Sequence, residues 1–470
     1  MNRFPKIRAG LPAALLSLAA LSHSQSSTPS APNLYAIVGA RIEIGDGKVL
    51  EKGTIIIRDG LIAAVAIDAA VPAGAEVLDG KGLTVYPGFI DGYTQKGYTA
   101  PKPPDSHDPI ETVVGDFASS FMRTYGRSGI RPEARAVEGL SLTPDVLKPY
   151  QSAGFTTLLV APSGADISGL AALVNLSGQP VRDALVSASV GQVLNPSGGG
   201  SGAIYPSSLM GHIAQLRQTL LDAQWYAKVN GAYQNGASHR PPVDDSLTAL
   251  QPLITGHTPA IFEAAGEYQI IRALNLSAEF GLKPIIAGAK EGWTQIDALK
   301  SAGAPVLLTL NFGKDPKPAP ADPKAKPEKP VTDLDPENPL KVAERVRLYE
   351  ELVKNPSALA AAGIPIALSA YGCKDTNEFF ENLRKAVAAG FPRETALRAL
   401  TIDSAKIFGV DRLLGTLEVG KVANVTVMTG DFVKAETKVK MLYVDGHKID
   451  PTKGEPPSTP KFRFGGEEGR

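Results

Sequence analysis

One unit recurs between residues 155 and 390: a short apolar run, then a stretch with apolar residues at helical spacing. The runs are residues 155–160, 260–262, 284–286, 306–310 and 364–368. After the second, Ile270, Ile271, Leu274 and Ala278 share a face and Gly281 stops the pattern. Trp293, Ile296 and Leu299 line the next helix, ended by Gly303. After the last run, Thr376 is a candidate cap and Gly390 a candidate stop, with Phe379, Phe380, Leu383 and Val387 inward. A short apolar run bounded by turn residues is a strand buried on both faces. A helix that returns the chain to the same sheet makes consecutive strands parallel, through right-handed crossovers. The length spanned suits a closed eightfold ring better than an open sheet. The expected fold class is therefore α/β, with a (β/α)8 TIM-like barrel.

The two ends of the chain share a different pattern. Near the start, Ile42 and Ile44 alternate, Gly45-Asp46-Gly47 turns, 55–57 is a strand, and Asp59-Gly60 marks a hairpin whose second strand is 61–65. Near the end, Val425 and Val427 alternate, Gly430-Asp431 breaks, 439–444 follows, and Asp445-Gly446 turns again. Neither piece is long enough for its own core. The economical solution is one small β-sandwich from residues 33–85 and 412–450, flanking a barrel at 86–411. Residues 313–339 interrupt the barrel with eight prolines and many charges. They read as an extended insertion leaving the face where barrel active sites are built, either a cover for the mouth or a solvated loop.

Lysine plus arginine and aspartate plus glutamate each total 48 in 470 residues. A net charge of zero argues against nucleic acid or an anionic membrane as partner and favours a small molecule or peptide. Arg3, Lys6 and Arg8, the apolar residues 11–21 and Ser22-x-Ser24 read as a signal peptide at 1–24. The expected location is periplasmic or secreted. Cys373 is the only cysteine, so no intrachain disulfide is expected, and no lipid-bearing cysteine or other membrane anchor near the start. Residues 451–470 form a polar tail.

Four segments carry a resemblance. YPGFIDG (86–92) looks like a first barrel strand, and TALRALTIDSAKIFGVDRLLGTLEVGKVANVTVMTGDF (395–432) like a closing helix that enters the sandwich through G-x-L-x-x-G-K-x-A-N. AGFTTLLVAPSG (153–164) and YPSSLMGHIAQLRQTLLDAQWY (205–226) look like internal segments. Together they resemble the amidohydrolase superfamily, specifically the exported bacterial imidazolonepropionase-like members, over residues 34–448. The resemblance implies zinc or another divalent metal at the barrel mouth, and it implies where the ligands would stand. A histidine pair after the first strand becomes Tyr93 and Gln95. A fifth-strand histidine falls at Glu263, a sixth-strand histidine near Gly288, and the aspartate general base after the eighth strand at Tyr371.

That set is unfavourable to a metal. Zinc is held by thiolate, imidazole or carboxylate. A phenol competes as an anion only after losing a proton near pKa ~10, and a primary amide is a weak ligand. The motifs are degenerate, and no resident cofactor is expected. His107, His212, His239, His257 and His447 show no HxH or HExxH spacing. A site reassembled from His107 and His212 with Glu263 is one alternative, and solvated or helix-end histidines are the other. Cys373 follows the eighth strand without a histidine in context and reads as structural. NPSGGGSG (195–202) lacks the Lys-Ser/Thr of a phosphate loop and reads as a loop near the mouth. Asp91 is placed to accept backbone hydrogen bonds, and Trp225 and Tyr226 read as core.

Two functions remain open. In one, the protein is a non-catalytic barrel whose pocket of Tyr93, Gln95, Glu263, Gly288, Tyr371 and His212 binds a small molecule or peptide. It would act alone, as a homo-oligomer, or as partner to an active amidohydrolase paralogue. In the other, it hydrolyses C–N bonds at an atypical site, with Glu263 as base and Tyr93 or Tyr371 polarising a carbonyl. A mainly structural role is the third possibility.

Overall fold

The computed structural model describes residues 33–100, 129–198, 206, 208–236, 238–316 and 339–451. The expected signal peptide, His107 and nearly all of the insertion and tail lie outside them. The chain first lays down β1 (Leu34–Glu43), β2 (Val49–Arg58), β3 (Leu61–Ala66), β4 (Glu76–Asp79) and β5 (Thr84–Pro87). Eight strands follow: β6 (Phe89–Thr94), β7 (Phe155–Val160), β8 (Ile167–Asn175), β9 (Leu185–Leu194), β10 (Ala260–Ala264), β11 (Pro284–Gly288), β12 (Val306–Thr309) and β13 (Ile366–Ser369). The chain closes on β14 (Val425–Met428), β15 (Val439–Val444) and β16 (His447–Ile449). The longer helices are α1 (Pro144–Ser152), α2 (Leu209–Gln234), α3 (Glu267–Phe280), α4 (Pro339–Ala361), α5 (Thr376–Ala388), α6 (Arg393–Leu400) and α7 (Ile402–Ile407). No helix among the described residues is long and apolar enough to cross a membrane.

Both chain ends enter one eight-stranded sheet, joined where β5 pairs antiparallel with β14. The Asp-Gly turns fix its hairpins: Asp59 and Gly60 have φ of 50° and 83°, Asp445 and Gly446 of 52° and 74°, the primed geometry that matches strand twist. The sheet folds over itself, since Ile62 N donates to Lys421 O and Ala423 N to Gly60 O. It encloses Ile37, Ile42, Ile55, Val425, Val427 and Tyr443. Tyr86 and Pro87, placed in the barrel from sequence, pair instead with Thr426 and Val425. The change of sheet comes at Gly88, where the chain leaves β5 for β6.

The barrel sheet runs β6 to β13 in chain order. Each strand contributes one residue to a central layer: Ile90, Leu159, Leu173, Val193, Ile261, Ile285, Leu307 and Ala367. Phe408, Val410 and Leu414 belong to the same buried cluster. A regular alternation of strand and helix was expected, but β8 runs antiparallel to both β7 and β9. The physical reason is length. Residues 161–166 are too few for a helical crossover, which needs a dozen or more, so the chain can only turn back as a hairpin. β9 then resumes the parallel direction beside β10.

Where β13 meets β6 the ring is closed by side chains. Asp91 Oδ1 accepts from Ala370 N at 3.0 Å, and Ser369 Oγ donates to the Tyr93 carbonyl at 2.6 Å. Gly92 permits this approach: a Cβ there would stand 2.9 Å from the Leu368 carbonyl oxygen.

Three local readings change. The α5 cap is Asp375, whose carboxylate accepts from Asn377 N and Glu378 N, while Thr376 is already helical. Pro339, read as the end of the insertion, opens α4, the helix position where a missing N–H costs least. Trp225 is 55% exposed, because α2 buries Leu216, Leu220, Ala223 and Tyr226 and turns Trp225 outward.

Candidate functional site

Glu263 stands two residues after Ile261 on β10, so the strand's period of two carries it from the apolar layer to the mouth above on the same face. Three neutral donors surround its carboxylate. Tyr93 donates its hydroxyl to Oε1 at 2.6 Å, Gln95 donates Nε2–H to Oε1 at 2.7 Å, and Asn195 donates Nδ2–H to Oε2 at 2.8 Å. Tyr93 and Gln95 arrive from β6 and the residue after it, and Asn195 directly follows β9. The Tyr371 ring packs edge-on against Tyr93, centroids 5.2 Å apart.

Electrostatics follows from this packing. Burial raises the Glu263 carboxyl above its ordinary value despite the three hydrogen bonds that favour its ionised form. Burial and the Glu263 charge push the Tyr93 phenol well above its ordinary range, and Tyr371 moves the same way for the same reasons. Both phenols are therefore proton donors at neutral pH.

Beside Glu263 opens a cleft of about 230 Å³, lined also by Asn195, Gln269, Lys290, Asn311 and Tyr371. Gly288 lines it with backbone only. Its φ is 108°, and a Cβ there would meet the Ala264 carbonyl oxygen at 3.2 Å.

Of the residues singled out from sequence, Tyr93, Gln95, Glu263, Gly288 and Tyr371 thus converge at the mouth. His212 does not join them as a lining residue. Ser208 caps α2 and fixes its first turn, and there His212 Nδ1 lies 2.8 Å from Asp166 Oδ2, packed beneath the loop at Gly198. The alternative built from His107 and His212 with Glu263 finds no support among the described residues, since the Glu263 partners are Tyr93, Gln95 and Asn195. His239 and His257 are also away from the cleft, and His447 lies in β16. Cys373 is buried, and its thiol is pushed up to about 12, chiefly by burial. Asp91 does accept backbone hydrogen bonds, from Tyr93 and Ala370.

The sequence reading missed Asn195 and Lys290. Asn195 begins NPSGGGSG, a composition that signals only a loop. Its role depends on Glu263, 68 residues away, and no local pattern signals that contact.

A divalent metal at this mouth does not fit the residues present. Among the described residues the cleft's one carboxylate has both oxygens engaged by donors, the amide groups turn N–H toward it, and the phenols hold their protons. Among the described residues no three His, Cys, Asp or Glu side chains stand together as a candidate metal site.

Residues 340–449 match the family model described as "Amidohydrolase family". The fold is similar to the crystal structure of an amidohydrolase from Thermotoga maritima MSB8, with a TM-score of 0.70 and 19% identity over 88% of this chain and 99% of that one. It is also similar to a Xaa-Pro dipeptidase crystallised with methionine in its active site, with a TM-score of 0.50 and 16% identity over 89% of this chain and 100% of that one. At these identities the structural likeness shows the fold alone. No curated protein matches the sequence.

Proposed function

We propose that this barrel, whose residues 340–449 match the amidohydrolase family model, binds a small polar ligand and has lost metal-dependent hydrolysis. One observation carries this reading: the Glu263 carboxylate accepts hydrogen bonds on both oxygens, from Tyr93, Gln95 and Asn195, at a position where the resemblance implies a histidine ligand. An ion seated on Oε1 would have to displace the Tyr93 and Gln95 hydrogen bonds and would gain a single carboxylate. Without such an ion no bound water is acidified toward neutral pH, and Tyr371 stands where the resemblance implies the aspartate general base. What remains is a concave, partly aromatic cleft with several hydrogen-bonding groups, the features of a ligand site. Such a barrel suits the role of a binding module or of a non-catalytic partner to an active paralogue. The basic, apolar and small-residue order of residues 1–24 supports a periplasmic or secreted location.

A second reading is hydrolysis of an amide, lactam or dipeptide by the atypical site. The raised Glu263 carboxyl beside two protonated phenols favours it, because such a carboxyl is a usable base. A panel of amides, lactams and dipeptides, assayed with the wild type and Glu263→Ala, separates the two. The binding reading expects no turnover above background in either protein. Turnover that the substitution abolishes would establish the hydrolase.

A further inference from the structure

Lys290 is held in the cleft by an unusual investment of structure. Ala289, just before it, has φ +42°, a left-handed conformation that costs a residue with a Cβ about 1–2 kcal/mol. The strained turn is fastened on three sides. Ala289 N donates to Ala264 O, and Glu291 N donates to Ala265 O. Asn355 of α4, 2% exposed, donates Nδ2–H to the carbonyls of both Ala289 and Lys290, at 2.9 and 3.1 Å. Glu291 then accepts from Glu267 N at the start of α3 through its Oε2, at 2.8 Å. The result is a rigid pedestal under one side chain.

Among the described residues that side chain is a cation without a counterion. Lys290 lines the cleft half-buried and makes no salt bridge among the described residues. Among the described residues the only carboxylate lining the cleft is Glu263, which already accepts from three donors. Lys290 thus lines the cleft on a preorganised turn, and among the described residues no carboxylate is left free there to neutralise it.

We propose that Lys290 is the anion anchor of this cleft and that the ligand is a small monocarboxylate with a neutral polar remainder, such as an N-acylated amino acid. The carboxylate seats on the Lys290 ammonium, and the neutral part lies toward Gln269, Asn311 and Tyr371. A monoanion is favoured over a phosphate because a single point charge faces it and the Glu263 carboxylate stands in the same cleft. The volume of about 230 Å³ lies below the ~300–1,000 Å³ of sites for drug-sized molecules, which limits the ligand to roughly amino-acid scale. The inference names the ligand class of the binding reading above and rests on it.

The test uses the full chain and matched pairs: N-acetyl amino acids, the corresponding N-acetyl amino acid amides, and inorganic phosphate, titrated by calorimetry into wild type, Lys290→Gln and Lys290→Arg. At least one acid is expected to bind roughly tenfold or more tightly than its amide. Lys290→Gln is expected to erase that preference while its melting temperature stays near wild type, and Lys290→Arg to keep most of it. Acid and amide binding alike, a preference that survives in Lys290→Gln, phosphate bound in place of every acid, or no binding by any pair overturns the proposal. Hydrolysis of the pairs dependent on Glu263 would overturn the non-catalytic reading instead, while the acid preference would still report on Lys290.

Discussion

Tyr93 and Glu263, 170 residues apart in the chain, share a hydrogen bond of 2.6 Å in which the phenol donates to the carboxylate. Burial raises the Glu263 carboxyl even so. The ionised form is thus a net cost to the folded state that three donors only partly offset. Glu263→Gln is expected to leave the melting temperature at pH 7 unchanged or higher. Tyr93→Phe, which strips a donor from a half-buried carboxylate, is expected to cost about 1–3 kcal/mol. Denaturant unfolding of both variants checks the opposite signs.

Asp91 gives the protein a pH dependence. It is fully buried, Oδ2 has no hydrogen-bond partner, and burial raises its carboxyl from 3.8 to about 7. A carboxyl raised on folding stabilises the fold fully below its unfolded value. That contribution is lost as pH rises through the folded value, here between about 4 and about 7. Relative to Asp91→Asn, the wild type is expected to lose on the order of 3–5 kcal/mol across that window. Unfolding free energies at pH 4 and pH 8 in both proteins measure it, and parallel curves would refute the assignment.

The small β domain is tied to the barrel helices by Arg393 of α6. Its guanidinium reaches both Glu43 oxygens, at 2.8 and 3.0 Å, and Asp431 at 2.7 Å. Glu43 is 4% exposed. Arg393→Ala leaves that buried carboxylate with only the 3.5 Å contact from Arg41 and is expected to cost about 3 kcal/mol. Arg393→Lys should not restore it, because an ammonium cannot reproduce the fork. The double variant Glu43→Leu with Arg393→Met is expected to recover much of the loss in thermal unfolding.

Cys373 is buried and its thiol is raised to about 12. It is expected to react with a disulfide reagent at neutral pH only as the protein unfolds. Stoichiometric labelling within minutes under native conditions would show that the mouth opens far enough to expose it.

What the sequence showed and what it hid divide along physical lines. β7, β10, β11 and β12 were legible because parallel strands buried on both faces leave unbroken apolar runs. The Asp-Gly turns were legible because their positive φ values select those residues. β8 was not. Ser168, Gly169, Ala171 and Ala172 give it neither a run nor an alternation, and its direction is set by the shortness of the connection before it. In the site, the residues at family positions could be named, yet their arrangement around one carboxylate could not. The partners of Glu263 come from β6 and from the end of β9, and the clamp on Lys290 comes from α4, all distant in the chain.

The central claim is that this mouth holds no divalent metal because its side chains are donors or already satisfied. Elemental analysis of protein purified without chelators, for wild type and Glu263→Gln, measures it directly. Well under one zinc, manganese, iron, cobalt or nickel per chain is expected in both. About one metal per wild-type chain, lost in Glu263→Gln, would contradict it.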